Sequence, residues 1–246
     1  LSFSKSNILI CILILIIFRF SAFSETDSLE SDNNSSISQY LLPLTLITVG
    51  SAVSGSGFEK DLQADVRTAV GNDFELEIED YTIFIPAAEL YFFDLIGFKA
   101  RNNFFNRTKN LFFANLASQT TVFILKNAID KTRPNGENRR SFPSGHTNIA
   151  FTNATVLYHE YKDSNKYIAY SGYVIAAATG ALRILNNDHW TGDVLAGSGI
   201  GILCSNLVYQ IEPFKDWHPF GLGAKNMAVV PQINERHYGL GIYVNF

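Results

Sequence analysis

Residues 166–209 read KYIAYSGYVIAAATGALRILNNDHWTGDVLAGSGIGILCSNLVY. Two apolar stretches flank a polar centre, and each is long enough for a helix of several turns. Lys166–Leu185 and His189–Tyr209 are both rich in Ala and Gly, which lets helices pack closely. Their apolar runs, Ile168–Leu182 and Val194–Tyr209, are bounded by Arg183 and Asp193. Both runs fall short of the ~20 residues of a spanning helix. That length favours a soluble or peripheral protein over a polytopic one.

Outward from this pair the chain keeps a helical rhythm. Phe104–Asp130 is long, with Leu111, Asn115, Ser118, Val122 and Leu125 at helical steps, and Pro134 and Gly136 stop it. A further helix opens near Ser144 and runs to about Tyr161. Upstream, Phe58–Val70 ends at Gly71, and Glu79–Phe98 carries paired aromatics with Pro86 as a kink or first-turn residue. Leu41–Gly57 is apolar but broken by Pro43 and three glycines; a short buried helix, a strand or a membrane-resting segment all fit it. Met227–Phe246 alternates apolar and polar residues and reads as a β-hairpin around Glu235-Arg236-His237. The expected fold is all-α, a helical bundle over residues 40–210 with the active site at one end. A small C-terminal β-hairpin tail lies within residues 211–246.

The first 24 residues have the layout of a secretory signal peptide: Lys5, an apolar run Ile8–Phe18, and small residues at Ala22 and Ser24. Glu25–Gln39 is Ser, Asn and acid, and reads as a flexible linker. The expected location is therefore secreted or periplasmic, with peripheral membrane contact. A hydrophobic share of 47% with 17% charged residues suits a packed domain, and a formal charge of −4 lacks the basic footprint of a nucleic-acid binder. Cys11 lies in the signal core and leaves Cys204 alone, so neither an intrachain disulfide nor a thiolate metal cluster is expected. No metal or other cofactor is implied.

Three clusters carry chemistry. The first is Lys126-Asn127-Ala128-Ile129-Asp130-Lys131-Thr132-Arg133-Pro134. Residues seven apart return to nearly one helical face, so Lys126 and Arg133 can aim two cations at one place if the helix holds that far. The second is Phe142-Pro143-Ser144-Gly145-His146. Ser144 fits an N-cap, and the first N–H groups of the helix it opens point at whatever anion sits there. Gly145 lets a ligand approach the backbone, with His146 beside it. The third joins Arg183 to His189 and Asp193, spaced i,i+4 on one helical face. A carboxylate so placed fixes the imidazole tautomer and leaves the other ring nitrogen free as a nucleophile.

In this order the three clusters resemble the signature of the type 2 phosphatidic acid phosphatase superfamily, which includes bacterial acid phosphatases, lipid phosphatases and vanadium haloperoxidases. Its pattern of Lys-x6-Arg-Pro, then Pro-Ser-Gly-His, then Arg-x5-His-x3-Asp is filled at every position. The resemblance spans roughly Pro86 to Tyr209. It implies that His189 attacks phosphorus, Asp193 orients it, and His146 protonates the leaving oxygen. It also implies that Lys126, Arg133, Arg183, Ser144 and the Gly145 backbone hold the phosphate. A metal-independent phosphomonoesterase acting on a lipid phosphate or diphosphate is the expectation. A vanadate-dependent haloperoxidase and a non-catalytic phosphate or lipid binder are the alternatives. Two departures stand out: Leu182 replaces a usual Ser, and Asp188 adds a negative charge that raises the pKa of His189 or weakens anion binding. His159 reads as an outer-face residue, and His218 and His237 lie in the tail.

Overall fold

The computed structural model describes residues 34–211 and strands 227–234 and 237–244, with side chains described from 39 to 211. Eight helices form the described bundle. They are α1 (Asn34–Val53), α2 (Gly57–Val70), α3 (Glu79–Thr82), α4 (Ile85–Leu95), α5 (Phe104–Ala128), α6 (Gly145–Tyr161), α7 (Lys166–Leu185) and α8 (Thr191–Ile211). Strands β1 (Met227–Asn234) and β2 (His237–Val244) pair antiparallel, with Asn234 opposite His237. The hairpin expected at 227–246 is thus present over the described strands. The signal-peptide reading of 1–24 and the tail segment 212–226 lie outside the described residues.

Helix α1 settles the open reading of Leu41–Gly57 and begins at Asn34, inside the stretch read as a linker. Pro43 lies within it. Helix α2 starts where Ser56 accepts a hydrogen bond from the Glu59 backbone N–H, the usual work of an N-cap. The stretch 79–98 is two helices, with Pro86 in the first turn of α4, where a missing N–H costs nothing. Asn103 and Asn165 cap α5 and α7 in the same manner as Ser56.

Helices α6 and α8 sit at the centre, α6 against α4, α5 and α7, and α8 against α1 and α5 as well as α6. Small residues make the approach close enough. A Cβ on Gly197 would fall 2.5 Å from the Ser144 carbonyl oxygen of α6, and one on Gly199 2.6 Å from the Pro43 carbonyl of α1. The larger apolar cluster, built on Leu90, Val156, Leu157, Tyr161, Ile168 and Val208, fills the end of the bundle where α6 finishes. His159 belongs to that end and is not on an outer face. It is 6% exposed, stacks on Tyr209 at 4.3 Å and bonds Asn206 at 2.8 Å. Tyr209 reaches it from α8, a neighbour that local sequence around His159 does not reveal.

The membrane expectation needs correction. Helices α7 and α8, 20 and 21 residues long, are long and apolar enough to cross a membrane; Gln39–Val53 and Gly57–Val70 pass together, bent by 90° at their break. Arg183 and Asp193 bound the sequence runs, yet both charges lie in terminal turns of these helices and do not interrupt them. Large apolar side chains also face outward, among them Leu41 on α1, Phe112, Phe123 and Ile124 on α5, and Val174 on α7. An apolar exterior of this extent marks membrane association.

Candidate active site

The site forms where α6 and α8 begin and where α5 and α7 end. The Ser144 backbone N–H donates to the Asp193 carbonyl at 3.0 Å, which fastens the start of α6 to the first turn of α8. Ser144 stands at the N-cap position of α6, but its hydroxyl pairs with Thr147 Oγ1 at 2.9 Å and not with a backbone N–H. Gly145 opens onto Lys126: an added Cβ would meet only Lys126 Cε, at 3.9 Å. His146 follows in the first turn, its Nε2 2.8 Å from Asp80 Oδ1.

His189 and Asp193 are brought together, though not on one helical face. Helix α8 starts at Thr191, so His189 precedes it. Asp193 is the third helical residue, and its Oδ2 accepts the Trp190 N–H at 3.0 Å, one arm of a capping box. His189 Nδ1 lies 3.6 Å from Asp193 Oδ2, close enough for an ion pair but not for a hydrogen bond, and has no hydrogen-bond partner among the described residues. Catalytic hydrogen bonds are commonly loose before substrate binds.

The three cations also converge, by a different route from the one expected. Helix α5 ends at Ala128 and Ile129 is extended, so Arg133 sits in the following loop and not two turns on from Lys126. Its Nη1 bonds Glu137 Oε2 at 2.8 Å and lies 3.9 Å from Asp188. Arg183, 5% exposed, is held at 2.9 Å by Glu79 Oε1 and at 3.1 Å by Asp188 Oδ2. Lys126 Nζ donates to the Arg140 carbonyl at 2.7 Å. Two buried donors, Arg133 Nε and Arg183 Nε, have no partner among the described residues. Buried donors are seldom left so in a finished structure.

Burial and crowding set the charges. Burial, with help from Arg133 and Arg183, lowers Lys126 to a pKa of about 8. His189 is pushed down to about 4, first by burial and then by Lys126 and Arg183, so its imidazole is neutral near pH 7. Burial and Arg183 also lower His146, against the pull of Asp80. The net shift of His189 is downward, and the Asp188 carboxylate pairs with Arg183.

Residues 107–217 match the family model described as PAP2 superfamily. Over that stretch, which holds all three motifs, the chain is similar to the PAP2 superfamily. It is also 40% identical over 100 residues to the lipid A 1-phosphatase of Porphyromonas gingivalis. That stretch is 41% of this chain but only 22% of the relative's length. A transmembrane PAP2 type phosphatidylglycerolphosphate phosphatase from Bacillus subtilis shares the fold, with TM-score 0.50 at 20% identity over 75% of this chain and 98% of its own. LpxE of Aquifex aeolicus gives TM-score 0.48 at 23% identity, covering 64% of this chain and 98% of that one.

The fold also brings in residues that sequence reading misses. Glu79 and Asp80 of α3 reach Arg183 and His146 from about a hundred and about seventy residues away in the chain, and nothing local marks them. Glu59 and Lys131 meet behind Asp193. Lys131 lies inside the first motif, and Ser56-Gly57-Phe58-Glu59 has the spacing of a capping box, the one signal that pointed at Glu59.

Proposed function

We propose that this protein hydrolyses phosphate monoesters or diphosphates through a phosphohistidine on His189, and that its substrate is a membrane lipid. The observation that carries the reading is the pair of unpartnered buried Nε donors, on Arg133 and Arg183, beside a neutral buried imidazole. A tetrahedral phosphate presents oxygens that accept hydrogen bonds from such guanidinium donors.

In the first step a lone pair of the His189 imidazole forms a bond to phosphorus. The ester P–O bond breaks, and the leaving oxygen takes a proton from His146. In the second step His146 removes a proton from water, whose oxygen attacks phosphorus and breaks the N–P bond. Lys126, Arg133 and Arg183 offset the charge on the phosphate oxygens, with the N–H groups at the start of α6. Phosphoryl transfer asks mainly for this positioning and charge. Asp193 orients the nucleophile.

Two observations favour a lipid. The loop 186–190, which holds His189, joins the two helices long enough to span, so the nucleophile sits near the headgroup level. The relative from Porphyromonas gingivalis is named for a lipid phosphate. The test is phosphate release by detergent-solubilised protein from a lipid monophosphate, a lipid diphosphate and a soluble sugar phosphate, with and without EDTA. Release from the lipids, unaffected by EDTA and inhibited by vanadate, is expected. Turnover of the soluble ester alone would overturn the lipid assignment, and activity restored only by a divalent cation would overturn the mechanism.

A further inference from the structure

Behind Asp193 lies a buried ion network that the phosphoryl-transfer roles above do not use. Lys131 Nζ donates to Asp193 Oδ1 at 2.7 Å and to both carboxylate oxygens of Glu59, at 3.0 and 2.9 Å. Glu59 is 1% exposed. It also accepts the Gly192 N–H of α8 at 2.9 Å and the Gly55 N–H at 2.7 Å. The other Asp193 oxygen, Oδ2, takes Ser141 Oγ and the Trp190 N–H, and faces His189 Nδ1.

We infer that Glu59 and Lys131 are positioning residues for the phosphohistidine chemistry, fixing the Asp193 carboxylate and keeping its side of His189 negative. The inference rests on the function proposed above. Lys131 alone would immobilise Asp193 but cancel its charge, leaving nothing to favour the cationic ring that forms when His189 bonds phosphorus. Glu59 restores one net negative charge to the group. Because the same carboxylate holds the Gly192 N–H and the Gly55 N–H, it also ties the first turn of α8 to the corner between α1 and α2. The close packing there leaves no room for slack: a Cβ on Gly192 would fall 2.6 Å from Glu59 Oε1.

The test is Glu59→Gln in the full chain, read three ways. Turnover should fall by about 10²-fold, the scale of a misplaced reacting group, while KM changes little, because the cations at the phosphate are untouched. The acid limb of kcat/KM should move to lower pH. His189 is faced by Asp193 across the start of α8, by Lys126 from α5 and by Arg183 from α7, with Lys131 behind Asp193. Removing the Glu59 charge leaves the cations in excess, which disfavours imidazolium. In ¹⁵N-histidine NMR at neutral pH, the His189 tautomer should change from one form to a mixture.

If Glu59→Gln does not fold, the double variant Glu59→Leu/Lys131→Met removes both charges together, a replacement that buried pairs often tolerate. A folded double variant with parental kcat would overturn the inference, as would a Glu59→Gln protein with parental turnover, pH limb and tautomer. The NMR reading needs no turnover. A parent protein inactive on every phosphate ester would sink the proposed function, yet the tautomer change would still decide the role of Glu59.

Discussion

On the proposed mechanism Asp188 competes with phosphate for Arg183 and Arg133. Its carboxylate is 3.1 Å from Arg183 and 3.9 Å from Arg133, and it accepts from Asn135 Nδ2 at 3.2 Å. Asp188→Asn should therefore tighten inhibition by inorganic phosphate on the order of tenfold, since one charge-assisted hydrogen bond is worth roughly 1.5–3 kcal/mol. Weaker inhibition would mean that Asp188 instead holds the arginines in place. On the proposed mechanism the two histidines fix the pH profile. His189 must be neutral to attack, so the acid limb of kcat/KM should lie near its pKa of about 4. His146 must be protonated to act as acid, and its pKa is lowered from 6.5, so the alkaline limb should fall below that value. Asp188, raised from 3.8 by burial, regains its proton as pH falls and then stops competing for the arginines. All three effects point to an acidic optimum; a profile flat from pH 5 to 9 would contradict the assignment. At this scale the motif residues were legible because their chemistry is local. Their partners were not: Glu59, Glu79 and Asp80 arrive from other helices, and spacing along a chain carries no sign of that.

Helices were legible where periodicity was long and their ends were marked. Asn103 and Asn165 stand at true caps, and α6 opens at Ser144 as expected. The misreadings came where tertiary partners override local pattern. Helix α5 stops at Ala128, although nothing before Pro134 forbids continuing, and the chain turns there so that Lys131 and Arg133 can point to different carboxylates. Helix α1 runs through Pro43 because it packs along α8. The junction of α6 and α8 offers a contrast between two glycines. Gly197→Ala sets a Cβ against the Ser144 carbonyl and should destabilise the protein by about 1–3 kcal/mol, the range of overpacked cores. Gly145→Ala meets only Lys126 Cε at 3.9 Å, so thermal stability should hold while activity falls by crowding the phosphate site. Equal losses of stability in both variants would refute this view of the junction.

For the whole molecule, the all-α bundle with its site at one end was readable from sequence, while its relation to the membrane was not. Counting uninterrupted apolar residues cut α7 and α8 short at charges that belong to their last and first turns. The protein should accordingly stay with the membrane fraction through alkaline carbonate washing and come off with detergent; release by carbonate would restore the peripheral reading. His189 lies between the two helices long and apolar enough to span, and the chemistry proposed for it can be captured directly. Detergent-solubilised protein given a ³²P-labelled lipid phosphate and quenched in alkali should carry label on one histidine, stable to base and lost in acid. His189→Ala should abolish label and turnover together. His146→Ala should keep the label and lose alkyl phosphates more than nitrophenyl phosphate, since general acid help of about 10²–10⁴-fold matters less for a good leaving group. Label persisting in His189→Ala, or no label in an active parent, would contradict the phosphohistidine account.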